Sequence, residues 1–370
     1  MKRKPGLFRK LLIFVNIIVI ISVLITCFIP YINTDKYWFL ALPGLVFPVI
    51  IFVLVCFIVL WAILKSRWWL ISAVVLLLSF QQVTSVIAFN FPTNKIYYGN
   101  PGSLRVMQWN ASDWNETNQS GPNEGSYRDE MFQLISEENP DILCVEEYYD
   151  FESKENYKPN LKALIALGYS YNYVVPTTHY KNHYLSGIAI FSKHPILDSG
   201  NFAYNQSRRS EHLVFADVKV KEKTYRIFAT HLQSVKFEGE DYQNLYQIKR
   251  GSKPDISASK TIISKLKRGY QLRYDQANLA SSIIRQSPYP AILCGDFNDV
   301  PNSYTYFKMK GNLQDAFIKK GWGLGRSFLY ISPTLRIDYI LPDKSLKVKR
   351  FDIIHVPYSV HYPLITDLEF

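Results

Sequence analysis

The chain has 370 residues and a net charge of +11. Eight of those positive charges belong to residues 1–100, which contain nine Lys or Arg and one acid, Asp35. The other 270 residues carry only +3, which excludes the strong basic footprint of a tight duplex-DNA binder, and the two parts differ too much in composition to form one structural unit.

Three apolar segments predict membrane-spanning helices, at residues 11–30, 39–64 and 69–89. At about 1.5 Å per residue, each can cross a ~30 Å hydrocarbon layer. A cleaved signal peptide, or a lipoprotein cleavage box at residues 24–27, is the alternative for the first segment, but its apolar core is long and two more apolar segments follow. The third segment is the least secure, because four polar residues interrupt it between positions 81 and 85.

Basic residues flank these segments in a pattern that predicts their orientation. Lysines and arginines precede the first segment and separate the second from the third, whereas the first loop has only Lys36 against Asp35. Because such residues favour the cytoplasmic side, we predict a multi-pass protein of the cell (inner) membrane, with the bilayer as its partner, a cytoplasmic N-terminus and an extracytoplasmic C-terminal domain. If the third segment does not cross, that domain is cytoplasmic instead. Tryptophans near the segment ends fit an interfacial belt, namely Trp38, Trp61, Trp68 and Trp69.

Composition divides the chain into a membrane domain at 1–90, a linker at 91–103 and a soluble domain at 104–370. In the soluble domain, periodicity predicts strands at 104–109, 141–145, 171–175, 188–191, 214–220, 225–229, 291–294, 336–341, 348–354 and 364–370, with a hairpin turn at 221–223. Helices are predicted at 127–138, with Ser126 and Asp129 as a capping box, at 161–167, and within 259–286.

Residues 235–273 form an unusually basic insertion. Within it Ile262, Ile263, Leu266 and Tyr270 recur at helical spacing, so one side is expected to pack on the domain. The basic side is interpreted as a solvated surface, with an anionic substrate or lipid headgroups as the alternative.

Polar motifs follow several predicted strands, where side chains meet at an exposed sheet end. Asp296 and Asn298 follow the apolar run 291–294, and because they are two residues apart they face the same way on an extended segment. An acid beside an amide suits a phosphate and a hard cation. Comparable motifs surround His231, Asp338 and His361.

Together with the segments that end in Asn110 and Glu147, these motifs resemble the endonuclease/exonuclease/phosphatase superfamily of metal-dependent phosphodiesterases, over residues 104–370. The resemblance implies an α+β fold, a four-layer α/β/β/α sandwich, here preceded by three transmembrane helices. It also implies that Asn110 and Glu147 hold the metal, with Mg²⁺ expected and Mn²⁺ as the alternative. Mg²⁺ needs only one or two carboxylates besides the substrate phosphate.

The same resemblance implies a role for each remaining motif residue. Asp296 would orient the attacking water, and Asn298 would contact the phosphate. His231 would bind the pentavalent phosphate or protonate the leaving oxygen. Asp338 would hold the tautomer and the charged form of His361.

Other residues of chemical interest receive structural interpretations. Gly187, in the family-like segment 186–192, allows close packing of a core strand. Cys144 and Cys294 are interpreted as buried thiols, with a disulfide between them as the alternative. No role is assigned to His179, His183, His194, His212 and His355.

One position departs from the family pattern. The family has Asp where this chain has Val360, and a valine side chain can neither ligate a metal nor accept a hydrogen bond. The leading hypothesis is a membrane-anchored, Mg²⁺-dependent hydrolase of lipid-headgroup or small phosphoesters, without an identifiable protein partner. The alternatives are an extracytoplasmic nuclease with nucleic acid as its substrate, and a catalytically impaired binding or scaffold module.

Overall fold

A computed structural model describes residues 6–91, 102–116, 126–151, 159–180, 184–205, 210–237, 239–249 and 256–369. Most of the predicted linker at 91–103 lies outside these residues, as do the side chains of His179 and His183.

Five helices form the N-terminal part: α1 (Leu7–Phe28), α2 (Leu42–Leu45), α3 (Phe47–Ile63), α4 (Trp68–Leu78) and α5 (Phe80–Val86). Among the described residues, only α1 and its extension to Tyr31 are by themselves long and apolar enough to cross a membrane. The second and third predicted spans are bent by 66° and 62°, and they reach spanning length only as joined helix pairs. One helix of spanning length and composition is therefore present, and the prediction of three transmembrane helices is not confirmed.

Local sequence accounts for the bend between α2 and α3. On either side of the bend between α4 and α5, a polar contact joins the helix to α1. Pro48 lies in the first turn of α3 and has no amide hydrogen for the preceding helix, so α2 ends before it. The Ser72 hydroxyl of α4 donates to the Asn16 carbonyl oxygen of α1 at 3.2 Å, and both residues are buried. Gln82 of α5 donates to the carbonyl of Cys27 at 3.2 Å.

The C-terminal part is built from β-sheets whose strands follow the predicted order. The strands are β1 (Ala88–Phe89), β2 (Ser103–Asn110), β3 (Ile142–Phe151), β4 (Tyr171–Tyr180), β5 (Tyr184–Ser192), β6 (Ile196–Ala203), β7 (His212–Val220), β8 (Lys223–His231), β9 (Ala291–Asp296), β10 (Trp322–Gly323), β11 (Asp338–Pro342), β12 (Lys347–Ile353) and β13 (Leu364–Glu369). One sheet has six strands in the order β12-β13-β2-β3-β5-β4, another has five in the order β11-β9-β8-β7-β6, and β1 pairs with β10.

Among the described residues, the helices of this part are α6 (Arg128–Glu138), α7 (Asn160–Ala166), α8 (Gly239–Lys249), α9 (Ile256–Ile284), α10 (Tyr304–Lys310) and α11 (Ala316–Lys320). α6 and α7 cover the outer face of the six-stranded sheet, α9 and α10 cover that of the five-stranded sheet, and α11 packs into the core between the sheets. One apolar core, including Val106 and Ile227, fills the space between the sheets. A second core joins the six-stranded sheet to α6 and α7, and a third joins the five-stranded sheet to α9 and α10. Three cores separate four layers, so the fold is an α+β sandwich of the expected kind.

Several local predictions need correction. β6 has a mostly exposed, poorly alternating sequence, which gave no strand signal. The predicted capping box is absent, because Tyr127 caps α6 without a side-chain bond and the Ser126 hydroxyl accepts from the amide of Arg128. In the basic insertion Ile262 is buried as expected, but Ile263 is 48% exposed. The hairpin at 221–223 is confirmed, since Val220 pairs with Lys223.

The two cysteines of the sandwich, Cys144 and Cys294, are free and buried in the core between the sheets.

The N-terminal helices pack directly on the sandwich. Arg336 donates through Nη2 to the carbonyl of Ser85 at 2.9 Å, and Gln271 of α9 bonds Asp35 in the first loop. Gly44 of α2 lies so close to the loop after β9 that a Cβ there would come within 2.3 Å of the Asn302 carbonyl oxygen. The β1–β10 pair adds a backbone connection between the two parts.

Candidate active site

The sheet topology brings the predicted site residues to one edge of the sandwich. β2 and β3 are parallel, as are β8 and β9, so their carboxyl ends meet at the same side. β11 runs antiparallel to β9 and places Asp338 directly opposite Asp296. We call the group that assembles there the catalytic rim: Asn110, Glu147, His231, Asp296, Asp338 and His361.

Asp296 is the centre of this group and is 1% exposed. Its Oδ2 lies 3.5 Å from His231 Nε2 and 3.7 Å from His361 Nε2. The other ring nitrogen of His361, Nδ1, is 3.0 Å from Asp338 Oδ2. Ligand atoms of Asp296, Asp338 and His361 lie within 4.8 Å of one another, a grouping that could hold a metal ion.

Asn110 connects Glu147 to this centre. Its Nδ2 donates to Glu147 Oε1 and to Asp296 Oδ2, both at 3.2 Å, while its Oδ1 accepts from the amide of Ser112. The side chain is fully buried. Asn110 therefore contacts both Glu147, the other residue predicted to hold the metal, and Asp296, the residue predicted to orient water.

A β-bulge puts Glu147 into the site. Alternation along β3 places Cys144 on the inner face and Val145 on the helix-covered face, so regular strand geometry would send Glu147 outward. The register slips by one residue between Val145 and Tyr148, and both of these pack in the outer core. Glu147 itself adopts a left-handed backbone with φ +48°. The extra residue turns Glu147 to the rim, where its side chain is 39% exposed.

The bulge also changes the expectation for Glu146, which a regular strand would have placed opposite Glu147. Glu146 is completely buried, and its Oε2 accepts from Gln108 Nε2 at 2.7 Å. The same nitrogen of Gln108 lies 3.2 Å from Asp338 Oδ1. Burial, followed by the nearby Cys144, raises the pKa of Glu146 well above its ordinary value. Gln108 thus links a buried acid to the carboxylate that holds His361.

His231 is held by an acid that sequence reasoning missed. Its Nδ1 lies 3.5 Å from Glu211 Oε2, and its Nε2 lies 3.9 Å from Glu147 Oε1. Burial opposes the charged ring, but Glu211 and the other nearby carboxylates raise the pKa of His231 well above its ordinary value. Glu211 therefore positions the His231 imidazole and favours its protonated form.

Asn298 reaches the site by a turn and not along an extended strand, so the expectation of a shared strand face is wrong. The residue is left-handed, with φ +51°. Its backbone N–H donates to Asp296 Oδ1 at 2.8 Å, and its Nδ2 donates to the carbonyl of Leu232 at 2.9 Å. Asn298 consequently fixes the Asp296 carboxylate and ties the end of β9 to the end of β8.

The charges of the rim compensate one another. Burial and the neighbouring Asp338 raise the pKa of Asp296 to about 6. Burial lowers the pKa of His361, but Asp338 and Asp296 outweigh it and raise the value to about 9. Positive charge on a neighbouring imidazole stabilises the ionised form of a desolvated carboxylate such as that of Asp296.

The donor set fits a hard divalent cation. Glu147, Asp296 and Asp338 supply carboxylate oxygens, which Mg²⁺ prefers, and Asp296 is held almost completely out of water. The NH₂ group of Asn110, not its oxygen, faces the carboxylates. The amide group would therefore have to flip by 180° before Asn110 could ligate a metal through its oxygen. Val360 adds no ligand, and its backbone oxygen accepts from the amide of Leu329.

Ser359 is a further residue that sequence reasoning left without a role. Its hydroxyl donates to the carbonyl of Asn110 at 2.8 Å and accepts from the amide of His361 at 3.1 Å. It joins the end of β2 to the segment before β13. The regular alternation of β2 could have revealed Gln108, which faces the same side as Asn110, but nothing local marks Glu211 or Ser359.

The remaining described histidines lie apart from the rim. His194 is 3.7 Å from Asp141, His212 contacts Asn201, and His355 packs against Tyr362. Gly187 allows the predicted close strand contact, because a Cβ there would lie 2.1 Å from the carbonyl oxygen of Val175.

Aromatic rings lead from the rim to a cavity of about 730 Å³. Phe328 packs on His361 with ring centroids 4.9 Å apart, Tyr330 packs on Phe328 at 6.0 Å, and Tyr242 of α8 packs on Tyr330 at 5.6 Å. Tyr242 and Tyr330 line the cavity. The basic insertion therefore contributes an aromatic wall beside the rim.

Arg273 belongs to the basic insertion at residues 235–273, but it does not lie on the solvated side of that insertion. It is 2% exposed, and it bonds the carbonyl of Gln233 at 3.0 Å and Asp299 Oδ2 at 3.4 Å.

Comparisons with known proteins agree with this fold. A crystal structure of an endonuclease/exonuclease/phosphatase from Beutenbergia cavernae is 17% identical, covers 73% of this chain and 72% of its own, and has a TM-score of 0.52. Another, from Bacteroides vulgatus, is 18% identical, covers 72% of this chain and 99% of its own, and has a TM-score of 0.50. No curated protein sequence matches the chain.

Family models divide the chain in two. Residues 9–86 match a domain of unknown function (DUF8431). Residues 118–357 match the endonuclease/exonuclease/phosphatase family, whose members are generally hydrolases of phosphoesters and typically use a divalent metal ion. Since this match covers more than half of its length, the chain belongs to the endonuclease/exonuclease/phosphatase family.

Proposed function

We propose that the chain is a membrane-anchored, Mg²⁺-dependent phosphoester hydrolase. The observation that supports this most strongly is the convergence of Asp296, Asp338 and His361, which come from distant parts of the sequence, within 4.8 Å. Asn110, Glu147 and His231 surround the same carboxylate. A cluster of two buried carboxylates and two buried imidazoles is costly to fold, and phosphoryl transfer is a chemistry that uses it.

Glu147, Asp296, Asp338 and Asn110 would hold the cation, and Mn²⁺ is the alternative occupant. When bound, the cation withdraws charge from the phosphoryl oxygens and makes the phosphorus more electrophilic.

The side chains divide the remaining work. Asp296, fixed through Oδ1 by the Asn298 amide, presents Oδ2 to orient a water molecule and to take its proton. His231, supported by Glu211, is placed to stabilise the phosphoryl charge or to protonate the leaving oxygen. His361 remains charged beside Asp338 and stabilises negative charge as it develops. Asn298 contributes a second amide hydrogen besides the one bonded to Leu232, and this hydrogen would meet a phosphate oxygen.

The anchor in this proposal is the N-terminal part. α1 is long and apolar enough to cross a bilayer, and the joined pairs α2–α3 and α4–α5 add the second and third spans of a multi-pass protein. Ser72 donates to the Asn16 carbonyl oxygen inside the bundle, an interhelical hydrogen bond of the kind that joins helices within a membrane. With basic residues at the start of α1 and between α3 and α4, the N-terminus is cytoplasmic and residues 104–370 form an extracytoplasmic hydrolase domain.

The substrate we favour is a lipid headgroup or another small phosphoester. The cavity beside the rim is walled by Tyr242 and Tyr330 and is of the size of a small-ligand site. The hydrolase domain contributes little of the net positive charge, which does not favour a duplex nucleic acid.

The test uses the full-length protein in detergent with a bis-aryl phosphodiester. We expect release of the phenol that stops with EDTA and returns with Mg²⁺, and that falls at least about 10²-fold in Asp296→Asn. Asp198→Asn removes one exposed carboxylate of β6 and serves as the matched control. Equal rates for all three proteins, or rates unaffected by EDTA, would overturn the proposal for this substrate class and leave a binding or scaffold module. Release from single-stranded DNA or RNA in preference to lipids would favour the nuclease.

A further inference from the structure

A second cavity, of about 580 Å³, lies between the membrane helices and the sandwich. Tyr31, at the end of α1, and Gln81 and Thr84 of α5 form one side. α10 and the segments around it form the other. The volume is in the range of small-molecule sites. α1 and α5 reach the cavity at the same end of the proposed membrane bundle.

Basic side chains dominate the side of this cavity that the sandwich forms. We call the whole space the basic cavity. Its basic residues are Arg285, Lys308, Lys310, Lys319 and Lys344. Within the part of the chain that the structure describes, none of the five forms an ion pair.

The acid that lines the basic cavity offsets these charges only in part. Asp315 accepts from Arg336 Nη1 at 2.7 Å and from the Tyr306 hydroxyl at 2.8 Å, and it also caps α11. Its carboxylate is thus committed to a buried arginine outside the cavity lining. The electrostatic potential in the basic cavity therefore remains positive.

This positive potential is unfavourable for the protein alone. Burial lowers the pKa of Lys310, and although Asp315 opposes the change, Lys344 and Lys319 lower the pKa further. Like charges that crowd a half-buried lysine raise the free energy of its charged form. A bound anion would relieve that cost.

The position of the cavity indicates which kind of anion it would bind. Tyr31 is 79% exposed at the end of α1, as expected of an aromatic residue at the level of lipid headgroups. Basic side chains near a membrane surface attract anionic lipids at this level. A phosphate there would meet Lys308, Lys310 and Lys344 on the protein side, and its acyl chains would lie along α1 and α5.

We propose that the basic cavity binds the phosphate group of an anionic phospholipid as a structural ligand, separate from the substrate of the catalytic rim. The proposal rests on the membrane anchoring in the proposed function, but not on hydrolysis. A lipid held there would connect α1 and α5 to α10 and thereby fix the height of the rim above the bilayer.

The experiment measures phosphatidylglycerol binding to the full-length protein in nanodiscs or detergent, in EDTA so that metal-dependent hydrolysis is suppressed. The variant is Lys308→Gln/Lys310→Gln/Lys344→Gln. The matched control, Lys162→Gln/Lys223→Gln/Lys347→Gln, removes the same charge from exposed positions elsewhere. We expect affinity in the variant to fall by about tenfold or more, with the control equal to wild type. Thermal unfolding of all three proteins without lipid checks that they fold.

Three results would overturn the proposal: equal lipid binding by the variant and wild type, an equal loss in the control triple, or inorganic phosphate binding as tightly as the lipid, which would assign the cavity to a soluble anion. Hydrolysis of the soluble bis-aryl substrate is measured separately on the same preparations. Loss of lipid binding with unchanged hydrolysis supports the structural lipid, and loss of hydrolysis with lipid binding retained bears only on the proposed function.

Discussion

The catalytic rim and the basic cavity both concentrate charge, but they balance it differently. In the rim, acids and imidazoles face one another within 4 Å, and Asp338, Glu211 and Gln108 each hold a neighbouring group in place. In the basic cavity the lysines lack such partners within the described residues, and Asp315 is bound to Arg336. The comparison teaches that a preorganised reaction site supplies its own counter-charges, whereas a ligand site leaves that task to the ligand.

The largest expected effect follows from removing a counter-charge inside the rim. Asp338→Asn leaves His361 without the carboxylate that stabilises its charged form, so we expect kcat to fall by roughly 10³- to 10⁴-fold. The measurement is the rate with saturating Mg²⁺ and bis-aryl phosphodiester. Asp343→Asn, in the turn after β11, should behave like wild type. A loss below tenfold in Asp338→Asn would show that His361 acts without this partner.

A smaller effect is expected from weakening the proposed metal ligand set at its exposed side. Glu147→Gln keeps the shape of the bulged residue but removes its charge, and the Mg²⁺ concentration for half-maximal activity should rise by about 10- to 100-fold. Activity should recover at high Mg²⁺. The titration curve of Glu211→Gln, whose contact is with His231, should keep its midpoint while its maximum falls. An unshifted curve in Glu147→Gln would remove Glu147 from the ligand set.

Val360 offers the opposite test, the addition of an acid. Val360→Asp restores the residue of the family pattern next to His361 and should lower the Mg²⁺ concentration needed for half-maximal activity by about tenfold, because one more carboxylate strengthens binding of a hard cation. Val360→Asn, which has the same size and no charge, is the control. An identical Mg²⁺ titration for all three proteins would place position 360 outside the site.

The smallest effect concerns the contact between the membrane helices and the sandwich. Gly44→Ala forces a Cβ against the Asn302 carbonyl oxygen, so we expect a loss of about 1–3 kcal/mol in stability, measured as a lower Tm of the full-length protein. Gly6→Ala is the matched control, since a Cβ at Gly6 meets no atom within 4 Å. Equal Tm values for the two variants would show that this contact does not stabilise the protein.

Much of the rim could be predicted from sequence because its residues stand where strands end. Asp296 and His231 directly follow apolar runs, and a run of that kind predicts a buried strand whose end is exposed. Parallel neighbouring strands then bring their carboxyl ends together. Asp338, at the start of β11, and His361, before β13, were identified instead by motifs that resemble those of the family.

The backbone geometry that brings two of the predicted residues to the site has no local signal. Glu147 faces the site only because β3 gains one residue against β5, and the slip is visible only in the pairing of the two strands. Asn298 turns left-handed to reach Leu232, which lies 66 residues earlier in the chain. The helix bends that shorten the second and third spans were also not predicted, although Pro48 marks one of them.

By itself, the sequence determined the family, and it predicted an apolar N-terminal part, a β-rich C-terminal part and the chemical types at the site, because periodicity and strand-end motifs depend on neighbours along the chain. Only the tertiary structure decided which acid supports His231, how the bulge turns Glu147, and that α1, α5 and α10 enclose a cavity whose lysines form no ion pair within the described residues. These features arise from contacts between segments far apart in sequence, and no local pattern encodes the distance at which they meet.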